Sequence, residues 1–134
     1  MIITAPQDVL RSWLTERVGH LPAETLCVGA VKSREIKAVI GYEGFNGASA
    51  RVHIALADTY SGNRELIEAG FVYPFEVWRL RTLIAPISKN NAASVALAQR
   101  LGFKQAALIE DGHKDGDLLI MSMHKKDCRY LRSE

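Results

Sequence analysis

The sequence predicts one α/β domain in which a mixed β-sheet is flanked by helices. After a helical segment near the N-terminus come several strand-like segments, and then a helix, a strand, a second helix and two closing strands. Elements in this order are typical of a sheet that carries helices on its faces. A length of 134 residues fits one domain with a useful core, so we expect residues 1–134 to form a single domain.

The N-terminal part predicts a helix and two strands. Residues 8–18 should be helical, and residues 19–22, which contain glycine and proline, should end that helix. The apolar residues of its predicted buried face are Val9, Leu10, Trp13, Leu14 and Val18. Residues 25–31 and 37–42 should be strands joined by a charged turn around Arg34.

The middle of the chain predicts a hairpin, a strand, a long helix and a further strand. Asn46 and Gly47 tolerate positive φ, which favours a tight turn before a strand at residues 51–57. Side chains alternate along this strand, with Val52, Ile54 and Leu56 on one side and His53, Ala55 and Ala57 on the other. Residues 63–78 should form the helix, and residues 80–87 the next strand.

The most informative stretch lies at residues 90–103 and predicts a capped helix. The side-chain oxygen of Asn91 can accept a hydrogen bond from the free amide near Ser94, as an N-cap residue does. Gly102 stands where a left-handed C-terminal residue is needed, and Phe103 should then re-enter the core. These features indicate a helix with well-defined ends.

The C-terminal part predicts two closing strands and a polar tail. Residues 104–109 and 118–123 should be strands on either side of a turn at residues 111–116. The basic residues of the tail are Lys125, Lys126, Arg129 and Arg132. They alternate with acidic residues, and the net charge of the whole chain is only +2, so a solvated tail is favoured over a nucleic-acid site.

Composition argues against several other classes of protein. No run is long enough to span a bilayer, and the N-terminus lacks the pattern of a signal peptide, so no membrane partner is expected. Cys27 and Cys128 make no disulfide framework, which favours a reducing cytoplasm. The histidines and cysteines have no metal-ligand spacing, so no metal is expected. No feature of the sequence indicates an oligomeric state.

The spacing of Asn91, Ser94 and the run Arg100-Leu101-Gly102-Phe103 resembles the helix that lies beside coenzyme A in the GNAT family of N-acetyltransferases. The resemblance extends over residues 41–131, where the predicted elements follow the family's order. Residues 127–131 are also similar to the tail of a small subgroup met in phage and prophage genomes. The resemblance implies a GNAT-like single domain whose mixed sheet is splayed.

The resemblance also implies where acetyl-CoA, the expected co-substrate, would bind. In the family, the fourth and fifth strands diverge, and the pantetheine arm pairs with the free backbone edge of the fourth strand. The corresponding residues here are Ile54, Ala55, Leu56 and Ala57. A backbone N–H on this strand would stabilise the negative charge that develops on the thioester oxygen as an amine attacks. Asn91 and Ser94 are expected to contact the cofactor arm.

The phosphate-binding loop departs from the family pattern. The usual loop is Gln/Arg-x-x-Gly-x-Gly/Ala, and its two glycine positions fall here near Thr59 and Ser61. Ser61, Gly62, Asn63 and Arg64 are the candidate contacts, since Gly62 permits close approach of the backbone and arginine is well suited to phosphate. The alternative is that this segment is only a turn and a helix cap.

The residue expected to donate a proton to the leaving thiolate is a second departure from the family pattern. Many family members carry a tyrosine four residues after the helix serine, where it can protonate the leaving thiolate, but this chain has Ala98 there. The role could be empty, or it could pass to Ser94, Tyr130 or water. Ser94 could equally have only a structural role in the first turn of its helix.

The candidate general base is His53, because it lies on the strand that should hold the thioester and histidine titrates near neutral pH. The alternative for His53 is a partly exposed strand residue that packs against a neighbour. Glu43, on the preceding strand, could act through water, although an acidic residue beside a hairpin is usually solvated.

Three classes of function therefore follow from the sequence. The favoured one is transfer of an acetyl group from acetyl-CoA to an amine of unknown identity, by direct attack in a ternary complex. The second is a GNAT-fold protein that binds acyl-CoA or a protein partner with weak or absent catalysis. The third, a nucleic-acid-binding module, depends on the basic tail alone.

Overall fold

The computed structural model describes residues 1–57 and 64–131, and these form a seven-stranded mixed sheet and three α-helices. The strands are β1 (Ile2–Ile3), β2 (Leu26–Lys32), β3 (Glu35–Glu43), β4 (Ser49–Leu56), β5 (Thr82–Ser88), β6 (Lys104–His113) and β7 (Gly116–His124). The helices are α1 (Gln7–Val18), α2 (Arg64–Val72) and α3 (Ala92–Leu101). Their order in the sheet is β1-β2-β3-β4-β5-β7-β6, which confirms the predicted mixed α/β class.

Helix α1 packs on one face of the sheet through a narrow apolar stripe. Leu10 and Leu14 are fully buried, and the sheet leaves room for them at glycines. A Cβ atom on Gly41, for example, would lie 2.5 Å from Cδ2 of Leu14. The predicted helix is confirmed, but its predicted buried face is too wide, because Val9 and Val18 are 48% and 40% exposed. Only side chains one helical turn apart on the same face reach the sheet.

Strands β2, β3 and β4 form an antiparallel meander close to the predicted positions. Ser33 and Arg34 join β2 to β3 with φ angles of 54° and 66°, the left-handed conformation that tight hairpins require. In the loop before β4, Gly47 has a φ of 86°. The side-chain oxygen of Asn46 accepts from the backbone N–H of Ser49 at 2.8 Å. The predicted Asn46-Gly47 turn is therefore confirmed.

The predicted long helix is divided into α2 and a π-helical turn at Tyr73–Val77. Pro74 explains the change, because it has no N–H to donate to the carbonyl of Gly70 four residues earlier. The hydroxyl of the fully buried Tyr42 donates to that Gly70 carbonyl instead, at 2.5 Å. A hydrogen bond from Tyr42 of the sheet thus takes the place of the helical hydrogen bond that Pro74 cannot donate.

Strands β4 and β5 run parallel but separate soon after they begin. They share three residue pairs, from Ser49 with Thr82 to Arg51 with Ile84. Beyond those pairs the two strands, which are both fully described, form no further ladder with each other, whereas β5 remains paired with β7 as far as Ser88. The predicted splay is confirmed, and it leaves a gap between the C-terminal halves of β4 and β5.

Helix α3 follows β5 and has the predicted ends. The side chain of Asn91 accepts from the backbone N–H of Ser94 at 3.2 Å. Gly102 is left-handed, with a φ of 109°, and its N–H donates to carbonyls in the last turn of the helix. Phe103 is buried directly after it. The capping residues in the sequence therefore predict both ends of α3 correctly.

The last hairpin is longer than predicted. Strand β6 continues to His113 and contains two irregularities in its pairing with β7. Asp111, expected in a turn, lies within β6 with a φ of 55°, and its N–H donates to the Asp117 carboxylate at 3.1 Å. The extra residues are absorbed as irregularities in the pairing, and β6 is the exposed edge strand at this end of the sheet.

The C-terminal tail connects α2 with α3. The ring of Tyr130 stacks on Phe71 of α2, with centroids 4.8 Å apart and planes 4° from parallel. The guanidinium of Arg129 donates to the carbonyl of Arg100 near the end of α3. The tail therefore helps to set the distance between the two helices that flank the gap.

Candidate active site

A cleft of about 1360 Å³ occupies the gap between β4 and β5. Side chains of both diverging strands, of α2 and of α3 line it, together with the end of α1 and the turn between β6 and β7. A volume of this size exceeds the usual range for pockets that take one drug-sized molecule. The cleft can therefore hold a long, partly extended ligand.

The four strand residues predicted to meet a pantetheine arm all line the cleft; they are Ile54, Ala55, Leu56 and Ala57. The N–H of Ala57 donates to the carbonyl of Lys37 on the β3 side, at 2.8 Å. Because hydrogen-bonding direction alternates along an antiparallel strand, the backbone groups of Ile54 and Leu56 point away from β3 and into the gap. The cleft thus contains a free backbone edge.

Helix α3 and its N-cap residue contribute polar and non-polar residues to the wall of the cleft opposite β4. Asn91 and Ser94 both line the cleft, as predicted, and the Asn91 oxygen is occupied by the helix cap. Ala98, one turn further on, is buried and lines the cleft without any group that could donate a proton. Tyr130 stacks on Phe71 and is not among the described residues that line the cleft. Of the two named side-chain proton donors, only Ser94 faces the cleft.

His53 lines the cleft from β4, and its side chain is 22% exposed. Its Nε2 atom lies 2.9 Å from Oε2 of Glu43. The same carboxylate accepts two hydrogen bonds from Arg51, from Nε at 2.9 Å and from Nη2 at 2.6 Å. The structure therefore joins the predicted base to an acidic and a basic residue in one cluster.

Glu43 is 4% exposed, so the expectation that this acidic residue is solvated is wrong. It lies directly opposite Arg51 in the antiparallel pairing of β3 and β4, with His53 two residues further along β4. Hydrogen bonding to Arg51, and more weakly to His53, lowers the pKa of Glu43 although burial acts in the opposite direction. Such a carboxylate can remain ionised inside the protein.

The predicted phosphate-binding segment is described only in part. Ser61, Gly62 and Asn63 lie outside the described residues. Arg64 is the first residue of α2, and its side chain is 87% exposed. Its Nε donates to Glu68 at 2.8 Å, a pair spaced by one helical turn. Arg64 is thus at the start of the helix, where an anion could reach it.

Two further parts of the cleft wall were not predicted as site residues. Arg17 and Val18 reach it from the end of α1, and Lys114 reaches it from the turn between β6 and β7. The Asn90 side chain holds this turn by donating to the carbonyl of Asp115 at 2.6 Å. No local motif marks these residues, because only the folded sheet brings the two segments together.

The described residues contain no group of three or more His, Cys, Asp or Glu side chains arranged to hold a metal ion. Within the same residues, no helix is both long enough and apolar enough to cross a membrane.

Solved acetyltransferase structures have the same fold as this chain. No model of a known protein family matches it, and no curated protein sequence matches it. A mutant form of the spermidine N-acetyltransferase SpeG from Vibrio cholerae superposes with a TM-score of 0.78 at 14% identity, over 98% of this chain and 96% of that one. The N-acetyltransferase PseH from Campylobacter jejuni, in complex with acetyl coenzyme A, gives a TM-score of 0.62 at 18% identity, over 78% of this chain and 70% of that one.

A third structure, of a probable acetyltransferase, superposes with a TM-score of 0.67 at 18% identity and covers 78% of this chain. The aligned part spans only 64% of the length of that protein. Identities at this level establish a likeness of fold. The chain therefore has the mixed, splayed α/β fold of GNAT acetyltransferase structures, with its candidate site in the gap between β4 and β5.

Proposed function

We propose that this protein is an N-acetyltransferase that transfers the acetyl group of acetyl-CoA to an amine. The observation that carries the proposal is the gap between β4 and β5, which offers a free backbone edge to an extended acyl-bearing chain. A solved structure of the same fold, PseH, holds acetyl coenzyme A. The residues present fit such a ligand, because the cleft combines apolar walls with polar groups at Asn91 and Ser94.

The reaction requires one bond to form and one to break. The amine nitrogen attacks the thioester carbonyl, the new C–N bond forms, and the C–S bond breaks to release coenzyme A as a thiolate. Backbone N–H groups on the free edge of β4 would stabilise the charge on the carbonyl oxygen. Binding amine and thioester together in one complex supplies proximity.

Two proton transfers complete the reaction. The amine must lose a proton, and His53 is placed in the cleft to accept it. The thiolate gains a proton and becomes a thiol. Ser94 or water would supply that proton, since Ala98 has no group that could. The net change is amine plus acetyl-CoA to amide plus coenzyme A.

The acceptor is proposed only as an amine. A polyamine is one class to test, because SpeG of the same fold is a spermidine N-acetyltransferase. A protein N-terminus, a lysine side chain and a small metabolite amine are the others. The similarity of the tail to a phage and prophage subgroup further suggests a viral or prophage gene. We propose a cytoplasmic location because the two cysteines make no disulfide framework.

Release of free thiol from acetyl-CoA in the presence of a panel of amines tests the proposed function. The panel contains spermidine, a peptide with a free N-terminus, a lysine peptide with a blocked N-terminus and small primary amines. We expect amine-dependent thiol release with at least one class, and the acetylated amine should appear in equal amount by mass spectrometry. Binding of acetyl-CoA without thiol release on any amine would contradict the proposal.

A second candidate function is binding of acyl-CoA or of a protein partner without turnover. The observation that favours it is Ala98, which leaves the cleft without the tyrosine that many proteins of this type carry. Under this alternative, acetyl-CoA still raises the melting midpoint, because a ligand that binds only the folded state stabilises it. Thiol release then stays at the rate of the protein-free control.

The substitution Asn91→Asp should weaken acetyl-CoA binding without destabilising the protein. Aspartate caps a helix about as well as asparagine, so the bond to Ser94 is kept. The change removes the amide donor, worth about 0.5–1.5 kcal/mol, and adds negative charge beside an anionic ligand. Calorimetry and thermal melting measure the two effects. The control Asn46→Asp makes the same change in a turn remote from the cleft. Equal losses of stability and affinity in Asn91→Asp would mean that this residue is only a cap.

The substitution Arg64→Ala should weaken coenzyme A binding by about 1.5–3 kcal/mol, the usual worth of a charge-assisted hydrogen bond. The reason is that Arg64 begins α2, where the pyrophosphate is expected, and its side chain is exposed. Calorimetry with coenzyme A measures the change. Glu68→Ala is the matched control, because it breaks the same ion pair but keeps the arginine. Unchanged affinity in Arg64→Ala would place the phosphates elsewhere.

A further inference from the structure

The cluster formed by Glu43, Arg51 and His53 indicates how the His53 ring is held in the cleft. His53 has two ring nitrogens, and they differ in their surroundings. Nε2 lies 2.9 Å from the Glu43 carboxylate, whereas Nδ1 has no hydrogen-bond partner among residues 1–57 and 64–131. One ring nitrogen is therefore engaged in the sheet cluster, and the other is unpartnered among those residues in a side chain that lines the cleft.

The carboxylate decides which of the two nitrogens carries the hydrogen. An ionised carboxylate only accepts hydrogen bonds, so the neutral histidine must donate from Nε2. Nδ1 then holds the lone pair. In a histidine whose second nitrogen is held in this way, the partner fixes both the tautomer and the orientation of the ring.

Arg51 keeps the carboxylate available for this task. It donates to both Glu43 oxygens, at 2.9 Å and 2.6 Å, so a positive charge remains beside the buried acid. The guanidinium is also confined from the loop side, because a Cβ on Gly44 would lie 2.7 Å from its Nη2. With Glu43 at 4% exposure, the pair forms a fixed support behind His53.

We propose that Glu43 is a positioning residue, which holds the His53 ring through Nε2 and presents Nδ1 as the basic atom of the cleft. This inference rests on the proposed acetyl transfer for its catalytic meaning. The step that it describes is the movement of one proton from the attacking amine nitrogen to Nδ1 of His53. Glu43 itself neither gains nor loses a proton, and it stabilises the positive charge that the ring acquires.

Nuclear magnetic resonance of the histidine side chains tests the dyad without cofactor or amine. The sample is the full chain at a pH where the imidazole is neutral, with ¹⁵N in the ring. We expect the His53 signals of the Nε2–H tautomer and an Nε2 proton that exchanges slowly with water because it is hydrogen-bonded. In Glu43→Gln the Nε2 proton should exchange faster with water, because a neutral amide oxygen is a weaker acceptor than a carboxylate. A wild-type ring with its hydrogen on Nδ1 would overturn the proposal whether or not the protein transfers acetyl groups.

A kinetic experiment tests the catalytic part of the proposal. It measures kcat/KM of Glu43 variants with the amine that gives the fastest thiol release. Glu43→Gln should lower kcat/KM by at least about tenfold, but by no more than the about 10²–10⁴-fold that a general base contributes. Glu43→Asp keeps the carboxylate and should recover part of the loss. Glu35→Gln makes the same substitution at the other end of β3, in an ion pair with Lys37, and should leave kcat/KM unchanged.

Glu43 could instead serve only the stability of the hairpin. In that case Glu43→Gln lowers the melting midpoint, while the Nε2 proton signal and the kcat/KM of the folded protein stay at wild-type values. That combination would overturn the proposal. If Glu43→Gln does not fold, two measurements still decide it. The wild-type His53 ring should be the Nε2–H tautomer, and Glu43→Asp, whose shorter side chain moves the carboxylate relative to Nε2, should lower kcat/KM.

Discussion

Replacing His53 by glutamine should lower kcat/KM for acetyl transfer by about 10²–10⁴-fold, the usual contribution of a general base. Glutamine is similar in size and can hydrogen-bond to the Glu43 and Arg51 side of the cluster, but it cannot take up a proton near neutral pH. The measurement is the rate of thiol release with a competent amine across a range of pH. In the wild type, the rate should fall on the acid side as the base becomes protonated. In the variant, this acid limb should shift.

The affinity for acetyl-CoA is the control for the His53 substitution. It should stay nearly constant, because the proposed contacts of the cofactor are made by the backbone of β4 and by α2 and α3 rather than by this side chain. A His53→Gln variant that turns over at the wild-type rate with the same pH profile would make His53 a structural residue. The amine would then lose its proton to water.

Replacing Phe75 by alanine should destabilise the protein by about 3–5 kcal/mol, the usual cost of deleting a large aromatic side chain from a core. Phe75 is fully buried in the π-helical turn, and its ring lies 6.4 Å from that of Phe71, centroid to centroid. Val77 lies in the same turn but is 57% exposed, so Val77→Ala should change stability by no more than about 0.5 kcal/mol. Urea unfolding measures both. A loss below about 1 kcal/mol in Phe75→Ala would contradict the packing described for this turn.

The parts of the fold that could be predicted are those governed by local rules. Asn91 and Gly102 define the ends of α3 through hydrogen bonds and dihedral angles that involve only near neighbours in sequence. The Asn46-Gly47 turn follows for the same reason. The splay of β4 and β5 came from resemblance alone, because no local pattern states where two parallel strands stop pairing.

The parts that were missed depend on partners distant in sequence. The π-helical turn at Tyr73–Val77 follows from Pro74 together with the hydroxyl of Tyr42, which lies on β3. The burial of Glu43 depends on the register that places Arg51 opposite it. Alternation along the two strands could have suggested that pair, since opposite charges at facing positions of an antiparallel hairpin stabilise each other.

The sequence predicted which residues belong to the candidate site better than how the segments around it are arranged. The four strand residues, Asn91 and Ser94 were expected in the cleft and lie there, and His53 joins them. The sequence did not predict that the ends of two remote segments, at Arg17 and Lys114, complete the wall. These residues face the cleft only because α1 and the turn between β6 and β7 reach the same opening in the folded sheet.

The proposed function depends first on the binding of acetyl-CoA in the gap between β4 and β5. The most direct test is a titration of the ¹⁵N-labelled protein with acetyl-CoA, followed by two-dimensional amide nuclear magnetic resonance. We expect saturable shifts that are largest for the backbone amides of Ile54, Leu56, Asn91 and Ser94, with small shifts for residues 104–110 of the exposed edge strand β6. Saturable shifts that cluster away from the gap, or no saturation at millimolar acetyl-CoA, would contradict it.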